Sequence, residues 1–223
     1  MNDTIICMPS RGTIFTRVIE RVCGFHCPIL FTSEVSTPQA FNDLVTLALS
    51  HHPQYIVFIE EDTVPPDGCI AMMKNVLESS LEIGAVCVEY PVKGGWSTVV
   101  HRSETGDILY CGLGCTMIRT EIFKKMKAPW FRADRLFSLN RKQWEPCDPT
   151  KQYGLYDVLF FTRMRKMGWK IAQISGRCEH VEIEHTFTPE QNGSVLSIKE
   201  KSLQIVRSQL PLDPVEYWEE GIL

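Results

Sequence analysis

The run Tyr55-Ile56-Val57-Phe58-Ile59 leads straight into Glu60-Glu61-Asp62 and then into Thr63-Val64-Pro65-Pro66. Five apolar, β-prone residues ending in three acids describe a strand buried on both faces whose carboxyl end carries charge. Open α/β sheets bind their ligands at that end. Three carboxylates crowded there repel one another, and a hard divalent cation, Mg²⁺ or Mn²⁺, would neutralise them while also holding a substrate phosphate. Strand alternation puts Glu60 and Asp62 on one side and turns Glu61 away. The plainer alternative is a solvated strand end running into a Pro-Pro turn, and the segment alone does not choose between the two.

Two later segments carry further chemistry. Asp157 opens a helical pattern that packs through Leu155, Val158, Phe161 and Met164 and ends near Gly168. A carboxylate in a first turn is kept ionised by the helix dipole and can accept a proton if its environment raises its pKa; it equally serves as an ordinary helix start. In Cys178-Glu179-His180-Val181-Glu182-Ile183-Glu184-His185 the period of two places His180, Glu182 and Glu184 on one side of a strand. The spacing is not that of an H-E-x-x-H metalloprotease helix. It fits either a histidine ligand or an edge strand bearing solvated charge.

These groups need a scaffold, and the first half of the chain supplies one in alternating strand and helix patterns. Strands are expected over Thr4–Met8, Pro28–Thr32, Gln54–Glu60 and Gly84–Tyr90, with helices over Gly12–Cys23, Thr37–Ser50 and Gly68–Leu81. Such alternation implies an α/β fold, a mainly parallel central sheet flanked by helices. After Pro91 the pattern loosens. A hairpin is expected around Glu104-Thr105-Gly106, a short helix at Thr120–Lys127, and an ordered loop over Ala128–Pro149. A helix at Gly154–Gly168, a strand at Trp169–Ile174 and an amphipathic C-terminal helix at Val195–Leu210 complete the reading.

The chain has 223 residues with 23 basic and 27 acidic side chains, a net charge of −4. That length suits one domain, and the acidic balance argues against duplex nucleic acid as a partner. No apolar run reaches the roughly 18 residues of a transmembrane helix. The N-terminal MNDTIICMPSRG lacks the basic and long apolar regions of a signal peptide, so a cytoplasmic chain is expected, peripheral to a membrane if its acceptor is lipid-linked. Nine cysteines without a CxxC pair read mostly as small buried hydrophobes.

Tyr55–Pro66 resembles the acidic D-x-D motif of nucleotide-sugar-dependent glycosyltransferases with the GT-A fold, of the family-two type, with E-E-D in place of D-x-D. Other segments resemble the family in the same order. Cys7-Met8-Pro9-Ser10-Arg11 is similar to its opening strand and P-[ST] loop, and Glu34 falls where an acid often meets the base. Ala40-Phe41-Asn42 keeps the Asn of an R-N pair, and Gly112–Phe123 is similar to the glycine-started strand and short helix of the acceptor side. Tyr156-Asp157 with Arg163, Arg165 and Gly168 resembles the E-D…R-x-R-x-x-G helix, Tyr156 replacing the Glu.

The resemblance implies a single GT-A-like, Rossmann-like domain. Residues 1–91 would bind the nucleotide-sugar, 92–186 would form the acceptor and catalytic half, and 187–223 a C-terminal helical extension. It implies transfer of a sugar, a hexose in the first instance, from a UDP- or GDP-sugar to a glycan, protein or lipid-linked hydroxyl, with Mn²⁺ or Mg²⁺. Asp62, Glu60 and His180 would hold the metal, and Asp157 would act as the general base. Pro9, Ser10, Arg11, Glu34, Asn42, Glu60 and Glu61 would line the donor site. Two competitors stay open at this level: a nucleotidyltransferase, for which Arg11 and Gly12 are a thin phosphate loop, and a GT-A-like binding or structural domain without catalysis.

Overall fold

The computed structural model describes residues 3–33, 35, 37–92, 96–101, 105–133, 135–138, 143–146, 156–190 and 193–202. From the N-terminus the elements are β1 (Thr4–Met8), α1 (Thr16–Cys23), β2 (Ile29–Phe31), α2 (Thr37–Ser50), β3 (Tyr55–Ile59), β4 (Thr63–Val64), α3 (Cys69–Ser79) and β5 (Ile83–Glu89). The second half adds β6 (Pro91–Val92), β7 (Trp96–Ser97), β8 (Val99–His101), β9 (Ile108–Cys111), β10 (Cys115–Arg119) and α4 (Thr120–Lys125). It continues with β11 (Arg135–Ser138), β12 (Gln143–Pro146), α5 (Tyr156–Lys166), β13 (Lys170–Arg177), β14 (Glu179–Glu190) and β15 (Gly193–Ser202).

Six strands form the central sheet in the order β13-β5-β10-β3-β1-β2. β1 runs parallel to β2 and β3, and β13 parallel to β5, while β10 runs antiparallel to both β3 and β5. β3 lies in the middle, and each of its five residues is buried. Alternation divides it between two apolar layers. Ile56 and Phe58 join the cluster of Phe41 and Leu44 from α2, Phe123 from α4 and Phe160 from α5. Tyr55, Val57 and Ile59 join Val18 and Val22 from α1 with Met73 and Leu77 from α3. A strand covered on both faces by helices is apolar along its whole length, which is why YIVFI carries no polar residue until it leaves the sheet.

The strand directions decide what meets at the sheet's edge. β1 and β3 are adjacent and parallel, so the segments after Met8 and Ile59 emerge together. β10 runs the other way, so the residue before it, Gly114, arrives at the same edge, and its carbonyl accepts from the Glu60 amide at 3.1 Å. Gly114 is packed too tightly for a side chain. A Cβ there would stand 2.6 Å from Tyr90 Cζ and 2.9 Å from Thr63 Oγ1, while its amide donates to the Tyr90 hydroxyl at 2.9 Å.

Most of the expected elements form, trimmed at their ends, and the hairpin after Ser97 is β8 with β9. Two expectations are corrected. The loop expected over Ala128–Pro149 contains a hairpin, β11 paired with β12. The C-terminal helix expected from Val195 is β15 across its described part, antiparallel to β14 from Gly193 to Ser202; residues 203–210 lie outside the described residues. The spacing of Val195, Leu196 and Ile198 suits either period, and the unpaired ladder of β14 beside it settles the backbone as a strand. Among the described residues, no helix is long and apolar enough to cross a membrane, and the buried cysteines, among them Cys7, Cys87 and Cys111, are free thiols.

Gly114→Ala should destabilise the chain by about 1–3 kcal/mol, the usual cost of forcing atoms into a packed interior. Denaturant unfolding measures it, and a loss below about 0.5 kcal/mol would mean that Tyr90 is free to move away.

Candidate functional site

A cleft of about 240 Å³ opens where β1 and β3 end. It is lined by Pro9, Ser10 and Arg11 after β1, by Glu60, Glu61 and Asp62 after β3, by Tyr156 and His180, and by Val35, Thr37 and Ala40. The sequence placed Glu61 away from its neighbours, and this is corrected. The sheet ends at Ile59, and a tight turn closed by the Thr63 amide on the Glu60 carbonyl (3.1 Å) swings all three acids into one cleft.

Glu61 is 5% exposed and held by Arg11, whose backbone amide and Nε each donate at 2.5 Å. Arg11 Nη2 also reaches Asp62 Oδ2 at 3.4 Å. Ser10 shapes the loop instead of presenting its hydroxyl: Ser10 Oγ donates to the Thr13 carbonyl and accepts from the Gly12 amide, both at 3.1 Å.

His180 reaches the acids through backbone pairing. β14 begins beside β4, His180 opposite Thr63, and the Val181 amide donates to the Asp62 carbonyl at 2.8 Å. Its Nδ1 donates to the Pro91 carbonyl at 2.6 Å, which fixes the tautomer and leaves Nε2 3.3 Å from Asp62 Oδ2. The edge of the ring meets Tyr90 at 5.8 Å and 90°.

These surroundings move the titrations. Burial first, then the charges of Asp62 and Asp157, push the Glu60 carboxyl up to about 7, against the opposing pull of His180 and Arg11. Burial raises Asp157 to about 6, although its carboxylate accepts from the Val158 amide at 2.8 Å. For His180, burial would lower the value, but the Asp62 carboxylate, the Pro91 carbonyl and Glu60 together outweigh it and the net shift is upward.

The imidazole has the donor arrangement of a metal ligand, one nitrogen locked on a backbone carbonyl and the other presented beside a carboxylate oxygen. With Asp62 it could supply two ligands to Mg²⁺ or Mn²⁺, which would draw further oxygen ligands from phosphate and water. Glu60, Asp62 and His180 all line the cleft, and among the described residues no three His, Cys, Asp or Glu side chains form a metal-holding set.

Asn42 lies outside the cleft lining. Its Nδ2 donates to the carbonyls of Pro38 (2.7 Å) and Phe131 (2.8 Å), and its Oδ1 accepts from the amides of Trp130 (2.9 Å) and Phe131 (3.1 Å). It ties α2 to the segment after α4, and Trp130 is similarly engaged through Nε1 with the Phe123 carbonyl at 2.8 Å. Glu34 lies outside the described residues. Asp157, which follows Tyr156 in the chain, is not among the cleft-lining residues, and its charge acts on Glu60. Tyr90 and the Pro91 carbonyl escaped the sequence reading, since only the β4–β14 pairing reveals their place beside His180.

No family model and no curated protein matches the chain. Among solved structures, A197 from STIV is similar over 94% of this chain and 97% of its own, with a TM-score of 0.64 and 18% identity. The mannosyltransferase PcManGT from Pyrobaculum calidifontis, in complex with GDP-Man and Mn²⁺, is similar over 78% of this chain and 55% of its own, at a TM-score of 0.48 and 12% identity. CMP:2-keto-3-deoxy-manno-octonic acid synthetase complexed with CTP is similar over 78% and 90%, at 0.43 and 10%. The last two likenesses are too loose to bear on the site. The first is a likeness of fold, and it agrees with an α/β chain built on a mainly parallel central sheet.

Both buried carboxyls hold protons in the folded chain that they release when unfolded, so the metal-free protein should lose stability as pH rises from about 4 through about 7. His180 adds to that slope, since its pairing is present at low pH and lost as pH rises through its raised pKa. Melting curves of Glu60→Gln and Asp157→Asn should lie above wild type at pH 8 and approach it at pH 4; the reverse order would show that the two carboxyls are well solvated.

Proposed function

We propose that this chain transfers a sugar, a hexose in the first instance, from a UDP- or GDP-sugar to a hydroxyl of a glycan, protein or lipid-linked acceptor, with Mn²⁺ or Mg²⁺ at Asp62 and His180. The observation that carries this reading is the His180 imidazole, turned by the Pro91 carbonyl so that Nε2 meets Asp62 in a cleft built at the ends of β1 and β3. Solvated charge on an edge strand needs no such orientation. The order of motifs along the chain supports the same reading.

The cation, when bound, neutralises the departing diphosphate. The remaining work belongs to the chain's own groups. The Pro9–Arg11 loop lies against the nucleotide, and Arg11 brings a guanidinium to the phosphate side. Asp157, with a pKa near 6, is ionised at neutral pH yet basic enough to take the acceptor's proton as the hydroxyl attacks, which inverts the anomeric centre.

One observation favours the non-catalytic reading. Arg11 and His180 already approach Asp62 Oδ2, at 3.4 and 3.3 Å, so the acids are partly neutralised without a metal.

A thermal-melt series with UDP, GDP, CDP and dTDP, with and without Mn²⁺, separates the two. A nucleotide at 100 times its Kd adds about 2.7 kcal/mol of stability, and for one base that gain should require Mn²⁺ and vanish in Asp62→Ala. Asp157→Asn should keep the nucleotide shift and lose transfer by about 10²–10⁴-fold. If no nucleotide shifts the melt, the transferase reading fails.

A further inference from the structure

Residues 119–133 and 156–170 together hold nine lysines and arginines against two acids, in a chain whose net charge is −4. The fold brings these two stretches together. Arg163 of α5 donates to the carbonyls of Lys127 (2.5 Å), Pro129 (2.9 Å) and Trp130 (3.0 Å), and the Lys125 ammonium at the end of α4 lies 5.6 Å from the centre of the Trp169 ring. The last turns of the two helices therefore feed one surface, α4 with Lys124 and Lys125, α5 with Arg163, Arg165 and Lys166. A cation in a last turn complements the helix dipole, and one at each end meets that need. The surface carries more than that, since Lys127 and Arg132 are exposed on the segment after α4.

Some of this charge is spent within the chain. Lys125 pairs with Glu121 at 2.5 Å, Lys170 with Glu82 at 2.6 Å, and Arg119 donates to the carbonyls of Ile83 (2.8 Å) and Ser80 (3.2 Å). Lys124, Lys127 and Lys166 are exposed, and among the described residues none of the three meets an acid. The complement of such a surface is an anionic partner, and what stands among the lysines decides its kind. Met167, 37% exposed, follows Lys166, and the exposed Ala128 and Pro129 follow Lys127. The rings of the two stretches are turned inward: Phe123 stacks on Phe160 at 5.5 Å, and the Trp130 indole donates to the Phe123 carbonyl. Proteins that hold single-stranded nucleic acid stack its bases on exposed rings, and none is offered here. Lysine stems interleaved with small apolar groups suit the headgroup layer of a lipid surface, where the stems lie along apolar matter and the ammonium groups stay with the phosphates.

We propose that this surface, formed by the ends of α4 and α5 and the segment after α4, seats the chain on an anionic lipid membrane. The cleft lies away from it. Lys166 is ten residues beyond the cleft-lining Tyr156 along α5, about 15 Å at the helical rise, and α4 follows the end of β10 that pairs with Tyr55, the start of β3, whereas the cleft opens past its other end. The seat thus leaves the cleft clear of the lipid, and it does not depend on which reaction the cleft performs.

Co-sedimentation of the full chain tests this, with vesicles of phosphatidylcholine alone and of an equal mixture of phosphatidylcholine and phosphatidylglycerol. Wild type should partition to the mixed vesicles, less so as salt is raised, and not to pure phosphatidylcholine. Each lysine near an anionic leaflet contributes roughly fivefold, so Lys166→Gln should lose about fivefold and the triple variant Lys124→Gln, Lys127→Gln, Lys166→Gln about 100-fold, with the melting temperature of wild type. Lys74→Gln, on α3 across the sheet, should lose no more than about twofold if the charge acts through this surface. Equal partitioning of the triple variant and wild type overturns the proposal, as does equal binding to both vesicles. Tighter binding to a single-stranded or duplex oligonucleotide than to the mixed vesicles at the same salt overturns it in favour of nucleic acid.

Discussion

Mutual repulsion of carboxylates at the end of a buried strand governs this molecule. At about 4 Å, two unit charges interact by roughly 4 kcal/mol when the effective dielectric is near 20. Glu60, Glu61 and Asp62 follow one another where β3 leaves the sheet, with Asp157 close behind. Each has its own remedy. Glu61 is neutralised by Arg11, Asp62 faces His180, and Glu60 takes a raised pKa. The cleft therefore holds graded charge: one acid committed to a guanidinium, one facing an imidazole, and one near its own midpoint at neutral pH.

The backbone makes these remedies possible. Parallel β1 and β3 bring the Arg11 loop to the acids, antiparallel β10 brings Gly114 under Glu60, and the β4–β14 ladder brings His180 across from Thr63. Tyr90 fills the space between the Gly114 backbone and the imidazole edge. The position of a polar side chain in the cleft is thus set by main-chain hydrogen bonds and close packing, which is what a preorganised site requires.

The parts of the site that the sequence announced are those whose local pattern and tertiary role agree. YIVFI followed by acids can only be a doubly covered strand with a charged end, and His180 and Asp157 stand in segments whose period was plain. What stayed hidden depends on partners distant in the chain. The turn at Glu60–Thr63 overrides alternation, so Glu61 enters the cleft beside Glu60 and Asp62. Asn42 carries the right residue type for ligand binding, yet backbone groups of Pro38, Trp130 and Phe131 claim both ends of its amide. β15 has apolar spacing open to either period, and the edge of β14 decides it.

The pairing of Thr63 with His180 has a consequence for how the molecule forms. The nucleating contacts of β1, β3 and α2 are near in sequence, whereas this ladder closes a loop from residue 63 to residue 180 and can form only after the chain between them has been ordered. During synthesis the acids are complete long before their histidine leaves the ribosome. The cleft thus depends on a contact between segments far apart in the chain, and amides at Asp62–Val64 and Glu179–Val181 are expected to exchange more readily than those of the sheet they flank.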